Sequence, residues 1–200
     1  LLDAGANPEA TAKHLVAYAF MGAIYSKHVM GVKSPVVGLM CNGEENEKGN
    51  SLTKETFALL KELEAGGKCP FTFKGNVEGH DLFETKLDVA LCDGFTGNII
   101  LKSCEATAKA MSKWLKLEFK RNPFRVLGAA MSRGVFKAVK QRSSYESYGG
   151  SPLLGVNGVC IIAHGGSSAL AMQNAIRVAM ETVEQSVNPH IEEALAALSE

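Results

Sequence analysis

The chain has 200 residues, of which 46% are hydrophobic, and its 21 basic residues balance its 21 acidic residues. This size and composition are typical of a globular domain with a sizeable core, and the zero net charge gives no reason to expect nucleic acid as a partner. Five single cysteines without zinc-ligand spacing favour a reducing cytoplasm, and the apolar stretches are too short to form a membrane span.

Helical and strand patterns alternate along the first half of the chain. They predict a helix at Pro8–Met30, a strand at Pro35–Met40, a helix at Thr53–Ala65, and strands at Phe71–Phe73 and Val89–Cys92. The alternation predicts an α/β fold, specifically a three-layer αβα sandwich with a mainly parallel sheet.

The second half of the chain is predicted to be mostly helical. A long helix is expected from Asn98, whose side-chain amide would cap its start, to Lys120, and Asn122-Pro123 would end it. A second helical segment is expected at Phe124–Arg142. The remaining predictions are a loop with a short strand at Tyr145–Gly158, a strand at Cys160–Ala163, a helix at Ser168–Asn188 and a last helix after Pro189.

Four loops that contain glycine follow the predicted strands, at residues 43–50, 75–81, 93–98 and 164–168. Each combines glycine with amide or hydroxyl side chains and with a charged or titratable group. Open α/β sheets bind their ligands just beyond the carboxyl ends of the strands, and a helix that begins there favours an anion. We therefore expect the loops to converge on one phosphate site.

Several motifs occur in order along almost the whole chain. They are Asp3-x-Gly-Ala-Asn7, Gly43-Glu-Glu-x-x-Lys-Gly-Asn50, Gly75-Asn-Val-Glu-Gly79, Asp93-Gly-Phe-Thr-Gly-Asn98, and Tyr148-Gly-Gly-Ser-Pro-Leu-Leu-Gly155 with Ile161-Ile-Ala-His-Gly165. In order and spacing these motifs resemble the bacterial phosphate acyltransferases of phospholipid synthesis, the PlsX family. The resemblance implies transfer of a fatty acyl group from acyl carrier protein to inorganic phosphate, on a fold like that of isocitrate and isopropylmalate dehydrogenases. It also implies that residues 1–200 are the C-terminal portion of a single acyltransferase domain, whose N-terminal part is absent.

Acyl transfer to phosphate needs groups that hold the phosphate and donors for the developing oxyanion, and we expect neither a covalent enzyme intermediate nor a metal or other cofactor. The catalytic candidates are Lys48, Asn76, Glu78, Asp93, Asn98 and His164, and the phosphate-binding candidates are Gly43, Gly75, Gly94, Gly97, Gly165 and Ser167. Lys48 and the two asparagines are candidate donors. Glu78, Asp93 and His164 are alternative candidates for orienting these donors or handling the phosphate proton, and the sequence does not rank them.

Residues 109–142 contain ten of the 21 basic residues but only one acidic residue, Glu118. The face expected to meet a partner comprises Lys113, Lys116, Lys120, Arg125, Leu127, Met131, Arg133 and Lys137. For the helical segment 98–142, the resemblance implies acidic acyl carrier protein, an anionic membrane or the second subunit of a homodimer with Trp114 near the seam. Which of these the face contacts stays open. The expected location is cytoplasmic with peripheral membrane contact, and a membrane glycerol-3-phosphate acyltransferase is the expected downstream partner.

Two other functions remain as alternatives. The first is a metal- and NAD(P)-dependent dehydrogenase of the isocitrate dehydrogenase-like fold, in which Asp81 and Asp93 would share a divalent cation. The second is a non-catalytic module that binds phosphate or acyl carrier protein. Phosphate-dependent loss of an acyl thioester would distinguish the acyltransferase from both.

Overall fold

The core of the structure is a three-stranded parallel sheet, in which β1 (Val36–Met40) lies between β2 (Thr72–Val77) and β3 (Val89–Leu91). The structure is a computed structural model that describes residues 1–84, 86–142 and 150–198. All three residues of β3 are buried, as expected for a parallel strand that is covered on both faces. Beyond β3, Leu2 forms a further parallel bridge to Leu91. The predicted α/β class is confirmed, whereas the similarity to isocitrate dehydrogenase stays a prediction.

The remaining elements follow in chain order around this sheet. They are α1 (Ala12–His28), α2 (Ser51–Ala65), α3 (Asp81–Glu84), α4 (Gly94–Phe119), α5 (Pro123–Met131), α6 (Arg133–Arg142), β4 (Ser151–Pro152), β5 (Ile161–Ile162), α7 (Ala169–Glu184) and α8 (Val187–Ala196). Within the described ranges, no helix is both long enough and apolar enough to cross a membrane.

Helix α1 is the central packing element of the core. Its fully buried Leu15 and Phe20 join Val37 and Leu39 of β1 in one apolar cluster, and Phe20 meets Phe71 edge to face at 5.2 Å between ring centroids. Helix α1 also packs against α8. Truncating a core leucine of this kind costs about 2–5 kcal/mol, so this cluster contributes strongly to the position of α1 beside the sheet.

The strand predicted at Cys160–Ala163 does not extend the parallel sheet. Its observed part, β5, pairs antiparallel with β4 in a separate two-stranded sheet. A short apolar run fits either kind of pairing, which explains why the sequence pattern did not distinguish them. The adjoining residues 143–149, which include Tyr148 of one motif, lie outside the described residues.

Several predicted helix boundaries are wrong. Helix α1 begins at Ala12, four residues after the predicted Pro8, and α7 ends at Glu184, four residues before the predicted Asn188. The long helix α4 begins at Gly94, and its N-cap is Asp93 rather than Asn98, because the Asp93 carboxylate accepts a hydrogen bond from Thr96 N at 2.8 Å. The segment predicted as one helix at 124–142 is two helices, α5 and α6, which are separated at Ser132. Helix α8 starts before Pro189, because proline is tolerated in the first turn, where its nitrogen needs no partner.

Strand β2 also differs from its prediction, because it extends to Val77 and includes Gly75 and Asn76, which were expected in a loop. The register of β2 on β1 shifts between Val37 and Gly38, so that Gly38 pairs with Gly75. A Cβ at Gly38 would lie 2.6 Å from Val77 Cγ1, so the glycine at this position allows the strand to pass close beneath a neighbouring side chain.

The start of α4 is pressed against the loop at residues 3–7. The buried Asp3 carboxylate accepts hydrogen bonds from the backbone N–H groups of Gly5, Ala6 and Asn7 at 2.7, 2.8 and 2.6 Å, which fixes the shape of this loop. A Cβ added at Gly97 would lie 1.8 Å from the Asp3 carbonyl oxygen. The helix can approach the loop this closely only because position 97 has no side chain.

We predict that Gly97→Ala destabilises the fold by about 3 kcal/mol, at the upper end of the range for overpacking, because the added methyl group meets backbone that cannot rotate away. Gly128→Ala is the matched control: Gly128 is also helical, and no atom lies within 4 Å of its Cβ position. The control should be neutral or stabilising by up to about 1 kcal/mol. Denaturant unfolding of both variants measures the difference, and equal midpoints would contradict the packing argument.

Candidate functional site

A cleft of about 480 Å³ opens at the carboxyl ends of β1 and β3. Its walls come from the loop after β1, the first turn of α2, the end of β3 and the first turns of α4. The lining residues are Leu15, Met40, Cys41, Asn42, Gly49, Asn50, Leu52, Thr53, Cys92, Asp93, Thr96 and Ile100. Its position matches the expected site at the carboxyl edge of a parallel sheet.

The loop after β1 carries Lys48 on its exposed side. Gly43 in the same loop is buried, and a Cβ there would lie 2.9 Å from Lys48 Cγ, which places the lysine stem across Gly43. Gly49 has a φ of +102°, which glycine adopts without strain, and the next residue, Asn50, caps α2 by accepting from Thr53 N at 2.9 Å. The loop is therefore held at both ends, while Lys48 itself reaches solvent.

Asn76 links β2 to this loop. Its side chain is 5% exposed, and its amide nitrogen donates to the Glu45 carbonyl oxygen at 2.7 Å. The Asn76 side-chain oxygen is buried and has no hydrogen-bond partner among the described residues. Asn76 thus uses its donor on the backbone of the Lys48 loop, and it positions that loop instead of presenting an open donor to solvent.

Glu78, which follows β2, belongs to a charged cluster that the sequence interpretation did not assemble. His80 Nδ1 lies 3.6 Å from a Glu78 oxygen, and His80 Nε2 lies 3.8 Å from Glu44 and 3.9 Å from Asp81. One ligand atom from each of Glu44, His80 and Asp81 falls within 4.8 Å of the other two, a spacing that a cation could bridge. The signal available in the sequence was a histidine directly after the Gly75–Gly79 motif.

Asp81 and Asp93, which would share a cation in the dehydrogenase alternative, each have hydrogen-bond partners of their own. Asp81 is buried, binds Lys74 Nζ at 2.6 Å and accepts from Glu78 N at 2.8 Å. The Asp93 carboxylate accepts from the N–H and the hydroxyl of Thr96, at 2.8 and 2.7 Å. Asp93 lines the cleft, whereas Asp81 does not.

The other candidates in the loop at 93–98 lie around the start of α4. Gly94 and Gly97 are buried, and Cβ positions on both would meet the backbone of residues 3–7. Asn98 is exposed, and its Cβ lies 3.4 Å from the Cβ position of Gly5, so it borders the same loop. The sequence interpretation missed the buried Asp3 as an organiser of this region, although its motif was visible.

The fourth predicted loop lies apart from this cleft. His164 is exposed, its Nδ1 accepts from Gly166 N at 3.1 Å, and its carbonyl oxygen accepts from Ser167 N at 2.9 Å. Gly165 and Ser167 also follow β5, which belongs to the antiparallel pair, and no residue of this loop lines the cleft. The structure therefore brings together elements of three predicted loops but not the loop that contains His164.

The glycine candidates differ in exposure. Gly43 and Gly75 are buried, and Gly75 has a φ of +101° in strand β2, with open space near its Cβ position except for Phe57 at 3.6 Å. Gly165 is exposed. Their proposed role in phosphate binding stays a prediction.

A second exposed surface is formed by α4, α5 and α6. The predicted face residues on it are all solvent-exposed: Lys113, Lys116, Lys120, Arg125, Leu127, Met131, Arg133 and Lys137. Large apolar side chains lie beside them, including Trp114 with 63% and Phe124 with 86% of its surface exposed. Arg125 pairs with Glu118, and Phe119 meets Phe136 edge to face at 5.3 Å. Cationic and apolar groups thus share one surface, which we call the helical face.

The cleft contains a thiol that is held in its protonated form. Burial raises the pKa of the Cys92 thiol to about 12, and Cys92 Sγ also lies 3.3 Å from the Asp3 carbonyl oxygen. At pH 8 only about one Cys92 in 10⁴ is therefore a thiolate, so this residue is a poor nucleophile despite its place in the site.

We predict that Cys92 resists alkylation by iodoacetamide at pH 8 while the chain is folded, because thiolate forms only as the pH approaches its raised pKa. Cys160 is exposed and should react first. Peptide mass spectrometry before and after denaturation gives both rates. Comparable rates for the two thiols in the folded chain would show that Cys92 is accessible and ionised.

Comparison with known proteins agrees with the motif resemblance. The chain is 62% identical over 196 residues to a protein named phosphate acyltransferase from Akkermansia muciniphila, covering 98% of the chain and 56% of that relative. Proteins of the same name from Wolinella succinogenes and Campylobacter fetus are 47% and 46% identical over 98% of the chain and 57% of their own lengths. The chain thus spans about half the length of the curated relatives it matches. The family model described as fatty acid synthesis protein matches residues 1–190, and the chain belongs to that family.

Proposed function

We propose that this chain carries part of the active site of a phosphate acyltransferase, which moves a fatty acyl group from acyl carrier protein to inorganic phosphate. The acyl phosphate formed would then supply phospholipid synthesis. The observation that carries this proposal is the 62% identity, over 98% of the chain, to a protein named phosphate acyltransferase. The cleft at the carboxyl ends of β1 and β3 supplies a place for the reaction.

The proposed reaction needs no covalent intermediate on the protein. A phosphate oxygen attacks the thioester carbonyl carbon, a carbon–oxygen bond forms, and the carbon–sulfur bond then breaks. The carrier leaves as a thiolate, which takes up the proton that the phosphate loses, so the products are acyl phosphate and the free carrier thiol. Because phosphate is already a nucleophile at neutral pH, the protein contributes by positioning the two reactants and by stabilising the oxyanion.

Lys48 is the residue best placed to bind phosphate in this proposal. It is exposed, it lies across Gly43, and its loop is tied to β2 by the 2.7 Å hydrogen bond from Asn76 to Glu45. An ammonium group is a standard partner for phosphate. Asn76 would act as a positioning residue, because its hydrogen bond to the loop keeps Lys48 at a fixed distance from the cleft.

The other candidates take different roles in the same proposal. Asp93 holds the start of α4 at the edge of the cleft, because both its oxygens bond to Thr96. Asn98, on the next turn, is an exposed donor. Glu78 is the candidate for moving the phosphate proton, and it has His80 at 3.6 Å as a partner for that transfer. The predicted role of His164 is not part of this proposal, because its loop does not line the cleft.

The helical face is proposed to bind acidic partners. Its exposed lysines suit acidic acyl carrier protein, and the exposed Leu127 and Met131 suit the interface of an anionic membrane. A homodimer that buries Trp114 is the third use of this face. Cytoplasmic location with peripheral membrane contact, and delivery to a membrane glycerol-3-phosphate acyltransferase, belong to the same proposal.

We predict that Lys48→Ala, in the full-length protein, lowers kcat/KM for phosphate by about 10²–10³, the range for losing one oriented electrostatic donor. The matched control is Lys54→Ala, which removes an exposed lysine from α2 nearby. The measurement is phosphate-dependent loss of acyl-thioester, with melting temperatures of both variants recorded alongside. Equal activities of the two variants would remove Lys48 from the site.

The same assay tests the alternatives. Turnover should persist with a chelator present, because no step of the proposed reaction uses a metal. Chelator inhibition that Mg²⁺ reverses would contradict the metal-free reaction, and a change in nicotinamide absorbance would favour the dehydrogenase. Phosphate binding without thioester loss would favour the non-catalytic module.

We also predict that Leu127→Glu combined with Met131→Glu abolishes binding to phosphatidylglycerol vesicles while soluble acyl transfer is unchanged. Phe83→Glu is the control, because Phe83 is 78% exposed on α3, away from the helical face.

Replacing Lys113, Lys116 and Lys120 with glutamine should instead raise KM for acyl carrier protein, more at low salt than at high salt. If neither set changes either affinity, the helical face serves only subunit association.

A further inference from the structure

The floor of the cleft is apolar, although the loops around it are polar. Leu15, Met40, Leu52 and Ile100 line it, together with the thiols of Cys41 and Cys92. Burial keeps the Cys92 thiol protonated, so Cys92 adds no charge to this surface at neutral pH. Such a lining favours a hydrocarbon over an ion.

The polar groups at the cleft are largely occupied by the fold. Asn50 accepts from Thr53 N to cap α2, and Asp93 accepts from Thr96 N and Oγ1 to cap α4. The first free N–H groups of both helices are therefore partly used, and Asp93 places a carboxylate at the positive end of α4. A phosphate in this position would meet a like charge.

No lysine, arginine or histidine is among the described residues that line the cleft. The nearest cation in the sequence of the loop is Lys48, and its side chain lies across Gly43 instead of along the cleft wall. The loop itself contributes Cys41, Asn42 and Gly49 to the cleft. The same loop therefore presents apolar surface to the cleft and a cation outside it.

We propose that the cleft binds the fatty acyl chain of the thioester and that phosphate binds outside it, at the Lys48 and Gly43 side of the loop. This inference rests on the proposed function and assigns its two substrates to separate surfaces. The thioester carbonyl then lies beside the loop after β1, between the acyl chain in the cleft and the ammonium group of Lys48 outside it. Ile100, on the α4 wall, becomes a residue that selects chain length.

The size of the cleft agrees with this assignment. At about 480 Å³ it lies within the range for pockets that enclose most of a small organic ligand. Removing each methylene from water strengthens binding by about fourfold. We therefore expect affinity to rise with chain length while the cleft fills, and then to level off once further carbons extend into solvent.

The experiment uses the full-length protein and two matched variants of neighbouring residues. Ile100→Trp fills the cleft, whereas Ile99→Trp adds the same ring to an exposed position of α4 that does not line the cleft. Butanoyl, octanoyl and hexadecanoyl thioesters of acyl carrier protein are the substrates. Ile100→Trp should lower kcat/KM by about tenfold or more for the octanoyl and hexadecanoyl substrates, the value of a few methylenes. The butanoyl substrate and KM for phosphate should be unchanged, and Ile99→Trp should change nothing.

A second readout does not depend on turnover. Butanoic, octanoic and hexadecanoic acids compete with a fluorescent fatty acid for the wild type and for both variants, with Leu52→Phe as a second cleft-filling change. The acyl cleft is supported if Ile100→Trp and Leu52→Phe bind octanoic acid more weakly than the wild type and Ile99→Trp does not. An equal loss for all chain lengths, or a change confined to KM for phosphate, overturns it. If fatty acids bind as expected but the wild type consumes no thioester, the acyltransferase proposal fails and the hydrocarbon cleft remains.

Discussion

The close approach of α4 to the loop at residues 3–7 is the constraint on which the site depends. Three backbone N–H groups donate to the buried Asp3 carboxylate, and the helix lies so close that a Cβ at Gly97 would overlap the Asp3 carbonyl oxygen. Gly94 N also donates to the Asn7 carbonyl oxygen at 2.9 Å. These contacts fix the position and direction of the first turns of α4 relative to the loop at residues 3–7. The position of every cleft residue on that helix follows from them.

The opposite wall of the cleft is fixed by a different device. The loop after β1 is joined to β2 through the side chain of Asn76, and its last residue, Asn50, caps α2. Hydrogen bonds from side chains to backbone hold the loop without burying Lys48, which stays exposed. A rigid loop with one exposed cation suits binding of an anion, because little conformational freedom is lost when the anion arrives.

Sequence patterns predicted the alternating elements and the carboxyl-edge site, but not which polar residue would serve structure. Asp93 and Asn98 are both good N-caps, and both precede helical sequence, so local preference alone did not choose between them. The choice was made by tertiary packing, because the glycines between them let the helix begin early against the loop at residues 3–7. Asn76 was expected in a loop for a similar reason: its burial results from strand pairing with β1, which no local pattern records.

The structure separates the polar residues of the motifs into two groups. The buried carboxylates of Asp3 and Asp81 are saturated by backbone N–H groups or by Lys74, and they hold loops in place. Lys48 is exposed on the loop after β1, and in the proposed reaction it is the group that meets the phosphate. Because a buried charge must be paired to be tolerated, paired carboxylates shape the site while unburied cations remain for the substrate. The proposed reaction joins one charged reactant to one hydrocarbon reactant, and an apolar cleft beside an exposed cation suits that combination.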